Sequence, residues 1–321
     1  MGVSIVYEVK QMNAQPAKRR RAKNKRYWPL YLMMLPGMLY LFINNYIPMA
    51  GIMIAFKQVN YKVGILRSPW VGLKNFEFLF KTNDAWIITR NTISYNLVFL
   101  IVGPLIAICV AILLSELTAE LSKKVYQTII LVPYLISIVV VSYLVYALFA
   151  TESGFINNSI LGIFGAEPVS WYSDAKYWPV ILVLVHIWKS FGYSTIIYYA
   201  TLVGIDRSYY EAAAIDGASR WKQIVHITLP GLKSTIITLT LMSIGKMFYS
   251  DFGLFYQVPM DSGALYDVTN TIDTYVYRGL MKLNNVGMSS AAGLYQSLVG
   301  FILVLTANLV VSKISKEDAL F

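Results

Sequence analysis

The sequence predicts an all-α polytopic membrane protein: six transmembrane helices, with a small polar hairpin between the fourth and the fifth. Three observations predict it. The 321-residue chain is 57% hydrophobic and only 14% charged, with a mean hydropathy of +0.55, which is too apolar for an ordinary soluble domain. Six stretches reach the ~20 apolar residues a helix needs to cross a bilayer. They are Trp28–Phe56, Ser94–Leu117, Tyr126–Phe149, Trp178–Val203, Thr228–Phe248 and Ser289–Val311. Within them apolar residues run continuously instead of alternating, which excludes a lipid-facing barrel; helices remain as the backbone that satisfies itself in lipid.

The chain divides into a basic tail, 1–27, and a six-helix transmembrane domain, 28–321. In the tail, "KRRRAKNKR" places seven basic residues among the nine from Lys18 to Arg26. A cluster that abuts a span is a topological anchor held in the cytoplasm, so the net charge of +10 is not read as a nucleic-acid surface. With that end inside, the inner segments 1–27, 118–125, 204–227 and 312–321 carry fifteen Lys/Arg and the outer segments nine. Both termini are then cytoplasmic. The loop 57–93, with six basic residues, runs against the rule. The apolar run from Trp28 is too long for a cleaved signal peptide and is expected to be retained.

Taken in order, the first span is interrupted by Pro36-Gly37, Asn44-Asn45 and Pro48, and a bend is expected there. The stretch "WVGLKNFEFLF" that follows reads as an amphipathic surface segment with Trp70, Phe76 and Phe80 as interfacial anchors. The second span holds the only cysteine, Cys109, expected to be a small packed hydrophobe. Spans two to five have few breaks beyond Gly103-Pro104, Pro133 and Gly192. The segments 150–177 and 249–288 are outer loops, both net acidic.

The hairpin, 206–226, is built from strong local signals. Ser208-Tyr209-Tyr210-Glu211 has the S-x-x-E form of a capping box, and "EAAAID" continues with helix formers. Gly217 supplies a helix stop that tolerates positive φ. Ser219 can restart the chain, Trp221–His226 can form a second short helix, and Pro230 falls near the start of the next span.

Glu211-Ala212-Ala213, Gly217 six residues after Glu211, and Ile227-x-Leu229-Pro230 match the EAA motif. On these residues the chain resembles the permease subunits of binding-protein-dependent type I ABC importers. "AIDGAS", "WVGLKNFEFLF" and the six-span layout are similar to the maltose-type sugar permeases. "YIPMAGIMIAFKQVNY" and "EDALF" resemble the branch that imports oligosaccharides and polysaccharide fragments. The resemblance covers about residues 28–321. It implies a bacterial cell-membrane location. It also implies that Glu211, Ala212, Ala213, Asp216, Gly217 and Ala218 form a coupling helix docked on a cytoplasmic ABC ATPase dimer, with Glu211 facing a basic residue. The same resemblance implies a second homologous permease and an extracytoplasmic solute-binding protein as partners. ATP and Mg²⁺ would be bound by the ATPase, with no cofactor in this chain.

The residues agree that hydrolysis lies elsewhere. The chain contains no G-x-x-x-x-G-K-[ST] phosphate loop, no HExxH, no paired cysteines and no nucleophile–base arrangement. No catalytic or metal site is expected. An ion-coupled secondary sugar carrier is the alternative; it needs intramembrane carboxylates or an internal repeat, and the deep spans hold neither Asp nor Glu. A membrane enzyme is a third class without a constellation to support it.

Candidates for a solute path come from polar groups inside spans, where a central Lys costs roughly 2.5–3.5 kcal/mol to insert. His186, Lys189 and Tyr193 share one face of the fourth span. Ser243, Lys246 and Ser250 share one face of the fifth. Gln296 and Ser297 lie in the sixth, and Tyr134, Ser137 and Tyr143 in the third. Hydroxyls and aromatic faces suit a sugar. Each group also has a plainer role: Lys246 snorkelling, Lys189 pairing with the partner permease, His186 and the tyrosines packing. If both lysines face the cavity, the expected cargo is an acidic sugar such as a uronate.

Overall fold

A computed structural model of the chain describes residues 17–314. It comprises two compact units, the first ending at Met53 and the second beginning at Ile54. The basic tail 1–27 falls partly outside the described residues, and Lys316 and the "EDALF" ending lie wholly outside them.

In the first unit, α1 (Ala17–Leu41) passes through Pro29 and Pro36 without ending. A π turn, Phe42–Tyr46, follows, and the Ile47 amide donates to the Phe42 carbonyl. A proline cannot donate to the carbonyl four residues back, and Pro48 lies just beyond this turn. Widening the helix by one residue absorbs that defect, so the helix resumes over Ile47–Met49.

The second unit holds α2 (Asp84–Glu116), α3 (Glu120–Leu135), α4 (Ile138–Phe149), α5 (Trp178–Val203), α6 (Arg207–Ile215), α7 (Arg220–Ile244), α8 (Ile272–Met281) and α9 (Val286–Ile314). Among the described residues five helical runs are long and apolar enough to cross a membrane, and the bent pair α3–α4 makes a sixth. The six expected spans are therefore present, with two corrections. The third is broken: α3 and α4 meet at 92°, because Ile136 and Ser137, which follow the last helical residue Leu135, are extended. The fifth does not start at Thr228 after a separate short helix. It runs without interruption from Arg220 to Ile244, and a second π turn, Ile224–Thr228, sits ahead of Pro230 as the first does ahead of Pro48.

Packing is organised by α2 and α5, which lie along each other. Near the hairpin end, Ala107, Ile108 and Ala111 of α2 meet Tyr198 and Leu202 of α5 and Leu232 of α7. Toward the opposite end, Tyr95, Val141, Val145, Trp178, Leu182 and Phe255 form one core cluster. Ala55, Phe78, Ile88, Phe248, Ile272 and Ala291 form another. The amphipathic segment is part of this fold: Phe76 packs on Phe56 with ring centroids 5.5 Å apart. Trp70 is exposed, and the Phe80 side chain is not described. Cys109, expected to be packed, is exposed.

The segment 249–288 is a folded cap at the end opposite the hairpin. Asn91 Nδ2 donates to the carbonyls of Asp267 (3.0 Å) and Asn270 (2.9 Å), and the Tyr95 hydroxyl donates to Val268 O at 2.8 Å. These bonds from α2 satisfy carbonyls of the cap and tie it to the bundle.

Candidate functional site: a polar hairpin and a broken span

The hairpin helix α6 is capped by Asp206, whose carboxylate accepts from the Ser208 amide at 2.9 Å. The expected Ser208–Glu211 capping box is not formed. Asp206 competes for the same end of the helix from two residues earlier, and its carboxylate is the stronger acceptor. The Ser208 amide and hydroxyl hold the Asp206 carboxyl below its ordinary value. At the other end, Gly217 takes φ +75°. Its amide donates to Ala214 O at 3.1 Å, and the Ala218 amide donates to Ala213 O at 2.8 Å. This pair of bonds is a Schellman turn, and it requires a residue at ease in the left-handed region. Ser219 then accepts from the Lys222 amide and starts α7.

The second arm of the hairpin is thus the spanning helix itself. Three contacts fix α6 and the residues flanking it to α7. Tyr210 Oη and Thr228 Oγ1 are 3.0 Å apart. Gln223, buried, donates to Ala218 O at 3.3 Å. Ile205 lies where a Cβ on Gly231 would come within 2.5 Å of its side chain. Glu211, Ala212, Asp216 and Gly217 are exposed, while Ala213 and Ala218 are half-buried. An open groove runs beside Glu211, Ala214, Gly217 and Arg220. The apolar residues Tyr209, Ile215 and Trp221 are also exposed on this element, Ile215 at 87%. Tyr209 and Ile215 were not singled out by the sequence reading; an isoleucine at the tip of a polar turn was the available signal.

At the break in the third span, Lys189 of α5 donates to Pro133 O (3.4 Å), Tyr134 O (3.0 Å) and Ile136 O (2.6 Å). The expected open cationic group is therefore engaged with the backbone. Tyr134 and Tyr193 stack with centroids 4.9 Å apart, and both are partly exposed. The Lys189 ammonium lies 5.9 Å from the Tyr134 ring centre. Lys189 and Tyr193 of α5 come together with Tyr134 of α3, a neighbour that spacing along α5 does not indicate. His186 is turned aside: it stacks on Phe99 of α2 with centroids 3.6 Å apart.

The candidates at the far end of α7 are divided. Lys246 is exposed. Ser243 Oγ donates to Leu239 O of its own helix at 2.8 Å. Gln296 is buried, contrary to the expectation of a path-lining group. It donates to Phe248 O (2.6 Å) and Asp273 Oδ2 (3.0 Å). Asn96 donates to Met247 O and Tyr249 O, and Asp273 accepts from both the amide and the hydroxyl of Ser250. Together they secure the chain as it leaves α7. Asn96 and Asp273 were not anticipated, although an asparagine inside an apolar span was a usable clue.

Comparison with known proteins gives a consistent picture. Residues 103–316 match the family described as "Binding-protein-dependent transport system inner membrane component". Protein LplB of Bacillus subtilis (strain 168) is 37% identical, over 90% of this chain and 90% of its own. The polygalacturonan/rhamnogalacturonan transport system permease protein YteP of the same organism is also 37% identical, over 90% and 89%. A chain in the crystal structure of a bacterial ABC transporter involved in the import of the acidic polysaccharide alginate is 31% identical. It superposes with a TM-score of 0.84, over 92% of this chain and 99% of that one. A second structure of a bacterial alginate ABC transporter, in complex with an alginate pentasaccharide-bound periplasmic protein, gives 0.83 at 30% identity, over 92% and 98%.

Proposed function

The chain belongs to the binding-protein-dependent transport system inner membrane components, and from that premise we propose that it is one of two paired permeases of an ATP-driven importer of acidic oligosaccharides. The observation that carries the proposal is the hairpin. Its Gly217 turn passes directly into a helix that crosses the membrane, so a push on α6 is delivered to the bundle along one rigid element. A 25-residue helix spans about 37 Å at 1.5 Å per residue.

In this reading the hairpin lies in the cytoplasm with both termini, and α6 sits in a groove of a separate ATPase. Glu211 supplies charge, Gly217 the turn, and the exposed Ile215 and Tyr209 the apolar contact. ATP and Mg²⁺ belong to that ATPase. A solute-binding protein delivers cargo at the opposite face, where the cap 249–288 and the exposed Lys246 lie. Alternating access follows when the nucleotide state favours one of two arrangements of the paired permeases. Acidic cargo is supported by the likeness to proteins named for polygalacturonan and alginate transport and by Lys246. The tyrosine pair offers ring faces on which sugar C–H surfaces pack.

The test is reconstitution with the second permease, the ATPase and the binding protein. Uptake of oligogalacturonate should require ATP and all four components. Gly217→Pro replaces a φ of +75° by one near −65°, and should abolish co-purification of the ATPase, as should Glu211→Lys. Lys246→Gln should weaken uptake of the acidic sugar. Accumulation by this chain alone in vesicles would refute the proposal.

A further inference from the structure

Lys189 sits where a broken helix meets the apolar interior of a bundle. The Ile136 amide donates to Pro133 O at 3.3 Å, but beyond it the last carbonyls of α3 have no following helical amides to bond, because Ile136–Ser137 is extended. In lipid or in a protein core, such carbonyls are costly to leave open. The ammonium group of lysine has three donors and no acceptor. Three carbonyl oxygens lie within 3.4 Å of it, those of Pro133, Tyr134 and Ile136. The negative end of the α3 dipole points at the same place, so the positive charge is stabilised there. With three donors placed on three carbonyls, none is left for a carboxylate on the cargo.

The neighbouring geometry shows why the lysine comes from this position on α5. One turn onward is Gly192, where α5 touches α3 backbone to backbone: a Cβ there would fall 1.8 Å from Ile130 O. That close approach brings the Lys189 stem level with the break. The residue whose carbonyl it holds at 3.0 Å is Tyr134, and the Tyr134 ring is stacked on Tyr193 of α5. The lysine therefore fixes the backbone from which one half of the tyrosine pair projects.

We infer that Lys189 is a positioning residue: it closes the break between α3 and α4 and thereby sets the Tyr134–Tyr193 pair, and it does not read the charge of the cargo. The inference concerning cargo rests on the importer reading above; the part concerning the break does not.

Two measurements on the assembled importer separate these parts. Hydrogen exchange over residues 133–141 is compared in the natural chain, Lys189→Met and Lys189→Arg. The expected result is exchange about tenfold faster in Lys189→Met, with most of the protection recovered in Lys189→Arg, which keeps donors and charge. Unchanged exchange in Lys189→Met would overturn the inference. Should that variant fail to assemble, Lys189→Gln, which keeps a donor group, is measured in its place. Uptake of oligogalacturonate and of its methyl ester, a neutral counterpart of similar shape, is then compared. The positioning role lowers both by the same factor and restores both in Lys189→Arg. Loss of the acidic substrate alone would overturn it. Failure of the natural importer to take up either sugar would count against the cargo reading, while the exchange result still decides the role of Lys189 at the break.

Discussion

The hydroxyl of Tyr210 lies 3.0 Å from that of Thr228, joining the middle of the hairpin helix α6 to the π turn of α7. Thr228 is buried and Tyr210 half-buried, so the bond is shielded from water. Together with the continuous helix from Arg220 to Ile244, it makes the hairpin and the fifth span a single mechanical piece. A loosely tethered loop of the same sequence would lose motion to local bending.

Removing this bond should loosen the joint without unfolding the chain. Tyr210→Phe is expected to cost about 0.5–1.5 kcal/mol, since the ring keeps its packing and Thr228 keeps a route to its own helix backbone. In the reconstituted importer the number of sugars moved per ATP should fall while ATPase docking persists. An unchanged ratio would show that the tie carries no force.

The contact of α3 with α5 depends on having no side chain at Gly192. Gly192→Ala places a methyl group 1.8 Å from Ile130 O, a collision only backbone movement can relieve. A destabilisation of about 1–3 kcal/mol is expected from overpacking. It should appear as a lower Tm of the purified complex. Gly103→Ala in α2, where a Cβ meets nothing within 4 Å, is the matched control and should leave Tm unchanged or raise it.

Acid should weaken the cap at the end opposite the hairpin through Asp261. Burial works to raise this carboxyl, but hydrogen bonds from Lys282 and Arg278 and their charges outweigh it and hold it below its ordinary value. A carboxyl with a depressed folded value adds stability that is present above its unfolded value, about 3.9, and lost as pH falls through the folded one. Protection of residues 261–282 in hydrogen exchange should therefore hold from neutrality to about pH 4 and decline below it. In Asp261→Asn protection should be lower at neutrality and lack this step.

Features that depend on neighbouring residues were legible in the chain. The spans follow from runs of apolar residues, and Gly217 announces its own turn because only glycine is at ease at φ +75°. The motif around it was enough to recognise the family. Local reading still erred where two local solutions compete. It chose Ser208 as the cap when Asp206 is the better acceptor, and it divided α7 between His226 and Thr228 because a π turn leaves no distinct mark in composition.

What the sequence determined by itself is the number of crossings, the site of the polar turn and the kind of machine the chain serves, since each rests on chemistry within about one helical turn or one bilayer thickness. Tertiary structure alone decided the roles of the polar groups inside the membrane. Lys189 meets carbonyls 53 to 56 positions away, and Gln296 meets one 48 positions away. An ammonium or an amide in lipid must find partners, and which partners it finds depends on how the helices pack.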